Sequence, residues 1–320
     1  MEKVPALIAE DMRRFNDYLS QQLKNRIPLL DKILKYIIRQ KGKQIRPMFV
    51  LLCARLGGNI EETTFRAATL VELLHTATLV HDDVVDEADQ RRGFFSVNAV
   101  WKNKIAVLAG DFLLSKGLLI SLDNNEFETL KILAEAVRQM SEGELLQIEK
   151  SRKLNMDESV YYEIIQGKTA SLIASACSAG AFSTFRNKQD ADRLALFGEK
   201  VGMAFQIKDD LFDYGRADVG KPTGNDIKEK KLTLPLIYTL NNCEKTLKRK
   251  IIYNIKNRNT QKDAVQFVLD AVKVQGGIQY ATEKMYAFRD EALAILHQYP
   301  ESEARSALDQ LVRFTTDRAF

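Results

Sequence analysis

The sequence is poor in residues that interrupt helices. It contains 6 prolines and 16 glycines in 320 residues, whereas globular domains typically contain about 5% proline and about 7% glycine. No segment alternates between apolar and polar side chains over several residues, as a half-buried strand would, and no repeat of fixed period is present. These absences exclude a β-rich protein and favour an all-α fold.

Cysteine and an excess charge of one sign are also scarce. The three cysteines, Cys53, Cys177 and Cys243, are widely spaced and form no CxxC pair, which excludes a disulfide framework and a zinc ribbon. The 47 basic and 43 acidic residues nearly balance and leave a net charge of +4, so no electrostatic footprint for nucleic acid is expected. We therefore predict a reduced, cytoplasmic protein without a nucleic-acid partner.

Long hydrophobic runs are missing as well. The longest uncharged stretch, residues 169–185, is mostly Ala, Ser, Gly and Thr and is shorter than the roughly 20 residues that a transmembrane helix needs. The first apolar run of the chain is short and closed by acids, unlike a signal peptide. We interpret residues 169–185 as a helix that lets its neighbours approach closely.

Apolar residues recur with helical spacing from end to end. One stripe consists of Leu29, Leu30, Ile33, Leu34, Ile37 and Ile38, and another of Leu70, Leu73, Leu74 and Ala77. Both stripes predict buried helices. Because no Gly/Ser/Pro-rich linker divides the chain, and a helical core can grow to this size, we predict a single domain over residues 1–320 that forms a bundle of many helices.

The strongest indication of a chemical function comes from two motifs with the same Asp-Asp-x-x-Asp pattern. The first contains Asp82, Asp83 and Asp86, and the second contains Asp209, Asp210 and Asp213. On a helix, carboxylates four residues apart project from one face about 6 Å apart and weaken the helix unless a cation lies between them. One copy alone could be a solvated acidic patch, but two copies that crown apolar segments favour facing clusters around a hard cation. Oxygen ligands without paired His or Cys suit Mg²⁺ completed by substrate phosphates rather than zinc.

Basic residues flank both motifs. They are Lys43, Arg46, Arg91 and Arg92 around the first motif, and Lys168, Lys221 and Lys231 around the second. Arginines after a helix are often only solvated, yet guanidinium groups match phosphate oxygens bidentately. The Gly-Lys-Thr segment at residues 167–169 lacks the first glycine and the preceding strand of a P-loop. The pattern thus predicts a diphosphate that bound ions bridge to the carboxylates.

Glu72 and His75 match the Glu-x-x-His pair of di-iron helical bundles, which are the main alternative with the same architecture. That alternative requires a second pair, and neither His81 nor His297 has a glutamate three residues before it. A di-iron site is therefore disfavoured. His75 is then either a hydrogen-bonded core histidine or a ligand-binding residue.

With these motifs, the chain resembles the trans-type polyprenyl diphosphate synthases of the polyprenyl synthetase family. The resemblance covers nearly the whole chain, from residues 42–47 through both aspartate motifs to residues 231–235. It implies the all-α isoprenoid synthase type I fold, in which helices surround a central cavity, usually in a homodimer. It also implies an enzyme that condenses an allylic diphosphate repeatedly with isopentenyl diphosphate to a linear all-trans polyprenyl diphosphate, with a transient membrane contact for product release left open.

The resemblance further implies a role for each motif residue. Asp82, Asp86 and Asp209 would hold Mg²⁺. The allylic diphosphate would contact Arg91, Lys168, Thr169, Gln206 and Lys221, and isopentenyl diphosphate would contact Lys43, Arg46, His75 and Arg92. Lys231 belongs to the basic loop that follows the second motif.

Product length would depend on the residues below the first motif, where short-chain family members carry bulky aromatic residues. Here Ala77 and Thr78 are both small, and they lie about 7.5 and 6 Å below Asp82 at about 1.5 Å per helical residue. We expect an apolar tunnel lined near Leu74 and Leu70, and by analogy with the family a product of roughly C30 to C50.

Three other functions share this architecture. A short-chain synthase would make products of roughly C15 to C20, and it is the first alternative. A terpene cyclase typically carries a second metal motif of Asn/Ser/Glu type, whereas the second motif here is again Asp-Asp-Leu-Phe-Asp. An inactive partner subunit would be expected to have eroded aspartate motifs, and both are intact.

Overall fold

Helices account for almost all of the computed structural model, which describes residues 6–40, 42–91, 93–151, 157–215 and 224–317. The first half contains α1 (Ala9–Gln22), α2 (Pro28–Arg39), α3 (Ile45–Gly57), α4 (Glu62–Val85), α5 (Val97–Trp101), α6 (Asn103–Asp123) and α7 (Phe127–Ser151). The second half contains α8 (Glu158–Ile165), a π-helical turn (Gln166–Ala170), α9 (Ser171–Phe185), α10 (Lys188–Phe212), α11 (Asn225–Lys228), α12 (Leu234–Asn242), α13 (Lys245–Asn257), α14 (Lys262–Val274), α15 (Gly277–Leu296) and α16 (Glu303–Thr316). The predicted all-α fold is confirmed.

One feature of this fold was not expected from the sequence, namely a short β-hairpin after α4. Its strands are β1 (Gln90–Arg91) and β2 (Phe94–Phe95), which pair antiparallel so that Gln90 faces Phe95 and Arg91 faces Phe94. Two residues per strand are too few to produce the alternation by which a strand is recognised in a sequence.

The chain divides into two compact units. The first comprises Met1–Val137, Leu172–Ala195 and His297–Leu308, and the second comprises Arg138–Ser171, Leu196–Leu296 and Asp309–Phe320. The first unit carries the first aspartate motif, and the second unit carries the second. The expectations of a single domain and of facing motifs stay predictions.

Helix α4 forms the centre of the first unit and positions the first motif at its end. The predicted stripe on α4 is buried, with Leu70, Leu73, Leu74 and Ala77 each at most 2% exposed. Helix α6 lies directly against α4, because a Cβ atom at Gly110 would come within 2.2 Å of His81 Nε2 and one at Gly117 within 2.8 Å of Leu70 Cδ1. Such close approach of the α6 backbone fixes the rotation of α4 and hence the direction of its aspartates.

Helix α2 departs from the prediction that its stripe is buried. Ile33 and Leu34 are buried, but Leu29 is 48% exposed, and Ile37 and Ile38 are only partly buried. The apolar residues of α2 spread around roughly half of its circumference at about 100° per residue, which is more than one packed face can cover. Part of the stripe therefore faces solvent.

Helix α6 is strongly apolar yet only partly buried. Among the described residues it is the one helix whose length and composition would let it cross a membrane, and 39% of its most apolar window is buried. Leu108, Leu119 and Leu122 lie on one side of it and are 45 to 56% exposed; we call this side the α6 face. All three cysteines are free thiols: Cys53 and Cys177 are buried, and Cys243 is partly buried.

Candidate active site

In the first aspartate motif, the middle residue is committed to the protein. Asp83 is 3% exposed, and its Oδ1 accepts a hydrogen bond from Arg91 Nε at 2.6 Å. Burial raises the pKa of Asp83, and the ion pair with Arg91 opposes that rise. Asn98 Nδ2 also donates to the Asp83 backbone carbonyl at 3.1 Å. These contacts attach the β-hairpin and α5 to the end of α4.

The two other aspartates of this motif are more accessible. Asp82 is partly buried and Asp86 is exposed, and they lie one helical turn apart at the C-terminal end of α4, where Asp86 is the C-cap residue. No basic residue lies in the last turn of α4. The negative end of the helix dipole disfavours carboxylates at this position, so a bound cation would relieve an unfavourable arrangement.

The second motif also contains an aspartate that is buried and hydrogen-bonded to protein groups. Asp210 is buried, and its carboxylate accepts hydrogen bonds from Tyr161 OH at 2.6 Å and Gln206 Nε2 at 2.8 Å. The Gln206 side-chain oxygen in turn accepts from Thr169 Oγ1 at 2.7 Å. Burial raises the pKa of Asp210 to about 7. A continuous hydrogen-bonded chain therefore links α8, the π-helical turn and α10.

The last aspartate of the second motif caps a helix. The Asp213 carboxylate accepts hydrogen bonds from the backbone N–H groups of Asn225 at 2.8 Å and Asp226 at 3.1 Å, at the start of α11. A carboxylate is stabilised there by unpaired N–H groups and by the positive end of the helix dipole. Asp209, by contrast, is exposed in the last turn of α10, which contains no basic residue.

The π-helical turn presents Lys168 and Thr169 at the surface of the second unit. A Cβ atom at Gly143 would lie 2.7 Å from Lys168 N, and one at Gly202 would lie 2.5 Å from Ala170 Cα. Helices α7 and α10 thus contact the turn through bare backbone. The Lys168 ammonium forms an ion pair with the Glu144 carboxylate. Single π-helical turns of this kind occur frequently at functional sites.

His75 and Arg46 form a contact within the first unit. His75 is 8% exposed, and Arg46 Nη1 donates to His75 Nε2 at 3.0 Å. A guanidinium group has donors only, so Nε2 is the acceptor and the ring carries its proton on Nδ1. His75 is therefore hydrogen-bonded to one of the arginines predicted to bind substrate, and its own role in binding isopentenyl diphosphate stays a prediction. Lys43, nearby in sequence, is exposed.

Three predicted basic residues remain, namely Lys231, Arg92 and Lys221. Lys231 Nζ forms an ion pair with Glu229 at 2.5 Å. Arg92 and Lys221 lie outside the described residues.

A cavity in the first unit lies beside the first motif. His75, Thr76, Leu79, Asp83 and Arg91 line it together with apolar side chains of α1 and α2. Ala77, Thr78 and Leu74, the positions predicted to determine chain length, are not among its lining residues. They belong to other sides of α4, and the tunnel predicted beneath Asp82 stays a prediction.

The donor set suits a hard cation with ligands still to be supplied. Within the described residues, no three His, Cys, Asp or Glu side chains converge on one metal-binding point. Carboxylates that offer only part of a coordination shell fit Mg²⁺, which usually keeps several waters and substrate phosphates as ligands. They do not fit a structural zinc site, which is fully enclosed by protein ligands.

Comparison with known proteins is decisive at the level of the family. A model of the polyprenyl synthetase family matches residues 27–272. The chain belongs to this family. The octaprenyl diphosphate synthase of Escherichia coli (strain K12) is 32% identical over 320 residues, which is 99% of each chain.

Two solved structures are similar to this polyprenyl synthetase over nearly its whole length. A decaprenyl diphosphate synthase from Rhodobacter capsulatus has a TM-score of 0.93 at 32% identity, covering 99% of this chain and 98% of that one. A polyprenyl synthase from Caulobacter crescentus CB15, complexed with calcium and isoprenyl diphosphate, has a TM-score of 0.91 at 32% identity, covering 99% and 97%. The predicted isoprenoid synthase fold and the assignment as an octaprenyl-synthase-like trans-prenyltransferase are confirmed.

Sequence reasoning missed three residues that shape this synthetase site. Tyr161 donates a hydrogen bond to Asp210, Glu144 forms an ion pair with Lys168, and Asp226 lies partly buried beside the second motif, where desolvation and the charges of Asp210 and Asp213 raise its pKa to about 7. Tyr161 lies two helical turns before Lys168, and this spacing could have indicated that the two residues share a side of the helix. Nothing in the sequence distinguishes Glu144 from other surface acids.

The raised pKa of Asp226 predicts a pH-dependent stability. In the folded protein the group keeps its proton up to about pH 7, whereas an unfolded aspartate loses it near pH 3.9. The free energy of unfolding should therefore fall as pH rises between these values. Asp226→Asn should remove the contribution of Asp226 to this slope, so that the slope becomes shallower, and, without added metal, should stabilise the protein at pH 8 by roughly 1 to 4 kcal/mol, with little effect near pH 4.

Urea denaturation at several pH values measures this effect. The exposed Asp123→Asn provides a control, because removal of a solvated carboxylate should leave the slope unchanged. Parallel pH profiles for Asp226→Asn and the parent protein would contradict the prediction.

Proposed function

We propose that this chain is a Mg²⁺-dependent polyprenyl diphosphate synthase that condenses isopentenyl diphosphate repeatedly with an allylic diphosphate. The supporting observation is common to both aspartate motifs. Hydrogen bonds from protein groups hold Asp83, Asp210 and Asp213. Asp86 and Asp209 are exposed, and Asp82 is partly exposed, near the C-terminal ends of two helices. The last three would be the metal ligands.

The bound metal would neutralise the negative charge that grows on the diphosphate as it leaves the allylic carbon. Departure of the diphosphate produces an allylic cation, which the double bond of isopentenyl diphosphate attacks. The proton lost in the last step can pass to the departing diphosphate, so the chain need not supply a strong base. Its own residues bind and orient the two diphosphates and stabilise their charge.

Basic and polar side chains would divide between the two substrates. Lys168, Thr169 and Gln206 would bind the allylic diphosphate together with Arg91 and Lys221, and Lys43, Arg46, His75 and Arg92 would bind isopentenyl diphosphate. Lys168 already pairs with Glu144, so binding of a diphosphate exchanges one anionic partner for another. The chain from Tyr161 through Asp210 and Gln206 holds Thr169 in position for this contact.

Loss of a metal ligand should abolish turnover without unfolding the protein. Asp209→Ala and Asp82→Ala should each lower the rate by about 10³-fold or more, since charge stabilisation by a metal amounts to several kcal/mol. The assay combines purified protein, isopentenyl diphosphate, farnesyl or geranyl diphosphate and Mg²⁺, with circular dichroism to check helix content. Asp123→Ala, which removes another exposed carboxylate, should retain parental activity.

Chromatography of the lipid product separates the candidate functions. Linear all-trans products of roughly C30 to C50 support the proposal, whereas products of about C15 to C20 indicate a short-chain synthase. Cyclic products, or no product, would contradict the proposal. An unchanged rate in Asp209→Ala would remove the second motif from the mechanism.

Product length should respond to bulk beneath Asp82. Ala77→Phe should shorten the product to about C20 or less, because a phenyl ring would fill about one helical turn of the tunnel. Ala77 is 2% exposed, so overpacking could impair folding; Thr78→Phe, at a partly buried position, provides the second variant. An unchanged chain length in folded, active variants would exclude a tunnel at these positions.

The α6 face supports the proposal of a homodimer. Leu108, Leu119 and Leu122 form an exposed apolar row about 20 Å long on α6. Soluble monomers rarely expose a contiguous apolar patch of this kind, and a second copy would cover it with an equivalent row.

Leu119→Asp should therefore convert a dimer to a monomer, because it would bury a charge at the centre of the interface. Light scattering coupled to size-exclusion chromatography measures the mass. Val274→Asp, at a position that is 79% exposed in the other unit, should leave the mass unchanged. A monomeric parent protein would contradict the proposal.

A further inference from the structure

We propose that a basic and aromatic surface built from α2 and the β-hairpin docks this enzyme on anionic membranes. This α2–hairpin surface comprises Ile27, Leu29, Lys32, Arg39, Phe94 and Phe95. It belongs entirely to the first unit and shares no residue with the α6 face.

The apolar part of the surface is unusually exposed. Phe94 and Phe95 are 48% and 60% exposed, and Ile27 and Leu29 are 54% and 48% exposed. Two adjacent phenylalanines on a short hairpin cannot both be covered by the ribbon that carries them. Aromatic side chains in this setting favour the interface between lipid headgroups and acyl chains.

Hydrogen bonds fasten the hairpin to α2. The Phe95 carbonyl accepts hydrogen bonds from Tyr36 OH at 2.7 Å and from Gln40 Nε2 at 3.0 Å. The Tyr36 ring also packs edge-on against Trp101, with ring centroids 5.0 Å apart. The exposed phenylalanines are therefore held beside α2.

Cations lie on the side of α2 that contacts the hairpin. Lys32 precedes Tyr36 by four residues and Arg39 follows it by three, so both project from the same side of the helix as Tyr36. Leu29 lies two turns before Tyr36 on that side. Exposed Leu29, Lys32 and Arg39 thus lie on the side of α2 that contacts the hairpin.

The charge of this region is strongly positive. Residues 24–46 contain eight basic residues and one acidic residue. Lys35 pairs with that acid, Asp31, at 2.6 Å, whereas Lys24, Arg26, Lys32 and Arg39 are exposed and form no ion pair within the part of the chain that the structure describes. The exposed acids Glu87 and Asp89 precede the hairpin, so the positive region ends at that side.

This combination suits a membrane better than a nucleic acid. Phosphodiester backbones would engage the cations but would offer nothing for Ile27 and Leu29, which are aliphatic and cannot stack on bases as aromatic rings do. A bilayer interface accommodates both groups, because anionic headgroups attract the cations and the apolar side chains enter the region beneath.

The position of the surface matches the chemistry of the product. The hairpin that carries Phe94 and Phe95 also carries Arg91, which contacts Asp83 of the first motif. A polyprenyl diphosphate of the proposed length is an amphiphile with a polyanionic head and a water-insoluble tail. Docking beside the first motif would bring the site to the lipid phase that must receive this product. The role of docking in product release rests on the proposed function, whereas membrane binding itself does not.

Vesicle flotation without substrate or metal tests the docking surface directly. The full chain should float with phosphatidylcholine vesicles that contain about one third phosphatidylglycerol and dissociate at high salt, because surface charges are screened. Lys32→Gln with Arg39→Gln should weaken partitioning by roughly 30-fold, at about fivefold per cation. Phe94→Ser with Phe95→Ser should weaken it by roughly tenfold, even at low salt.

Matched controls lie in the second unit. Lys245→Gln with Arg249→Gln removes two exposed cations of α13, and Val274→Ser removes an apolar side chain that is 79% exposed; both should float like the parent. Each variant should also turn over a soluble short primer at the parental rate, which verifies folding. A failure of that assay in the parent protein would count against the proposed function and leave the flotation result intact.

Several outcomes would overturn the proposal. Failure of the parent protein to float with anionic vesicles would do so, and so would binding by the substituted surface that equals binding by the parent. A change in molecular mass in the phenylalanine variant, with vesicle binding intact, would instead identify a contact between copies of the chain. Tight binding of duplex DNA at the same salt, without vesicle binding, would identify a nucleic-acid surface.

Discussion

Carboxylates at the C-terminal end of a helix face the negative end of its dipole, and in this protein they do so at α4 and again at α10. Neither helix has a basic residue in its last turn to offset them. The arrangement is unfavourable by itself, and a divalent cation is the simplest group that would reverse its sign. In the proposed function the basic residues would receive the diphosphate beside this cation, and other protein groups hold the remaining aspartates in place.

The contacts of these aspartates with protein groups explain why each motif has three aspartates although not all three need bind metal. Arg91 neutralises Asp83 at the end of α4, Tyr161 and Gln206 satisfy Asp210 inside the second unit, and the start of α11 occupies Asp213. Each contact fixes one carboxylate and hence the direction in which its neighbour on the helix points, and Asp83 and Asp210 are buried as well. The carboxylates held by protein thus orient the ones that remain accessible.

Much of this could be predicted from the sequence, and the exceptions have physical reasons. The buried stripe from Leu70 to Ala77 and the two acidic motifs follow from local periodicity and spacing. The exposure of Leu29 does not, because periodicity shows which residues share a side but not how much of that side a neighbour covers. The commitment of Asp210 depends on Tyr161, which is 49 residues away in sequence, and the two-residue strands at Arg91 and Phe94 are too short to leave a pattern. Roles that depend on a distant partner were inaccessible to reasoning from spacing.

The turn that carries Lys168 and Thr169 contacts each neighbouring helix at a glycine. At Gly143 and Gly202 the helix backbone lies so close to the turn that an added Cβ atom would come within 2.7 Å and 2.5 Å of its atoms. A shift of this turn would collide with helix backbone, which cannot rotate away as a side chain can. A rearrangement that displaced Lys168 and Thr169 would therefore have to displace α7 or α10 with them.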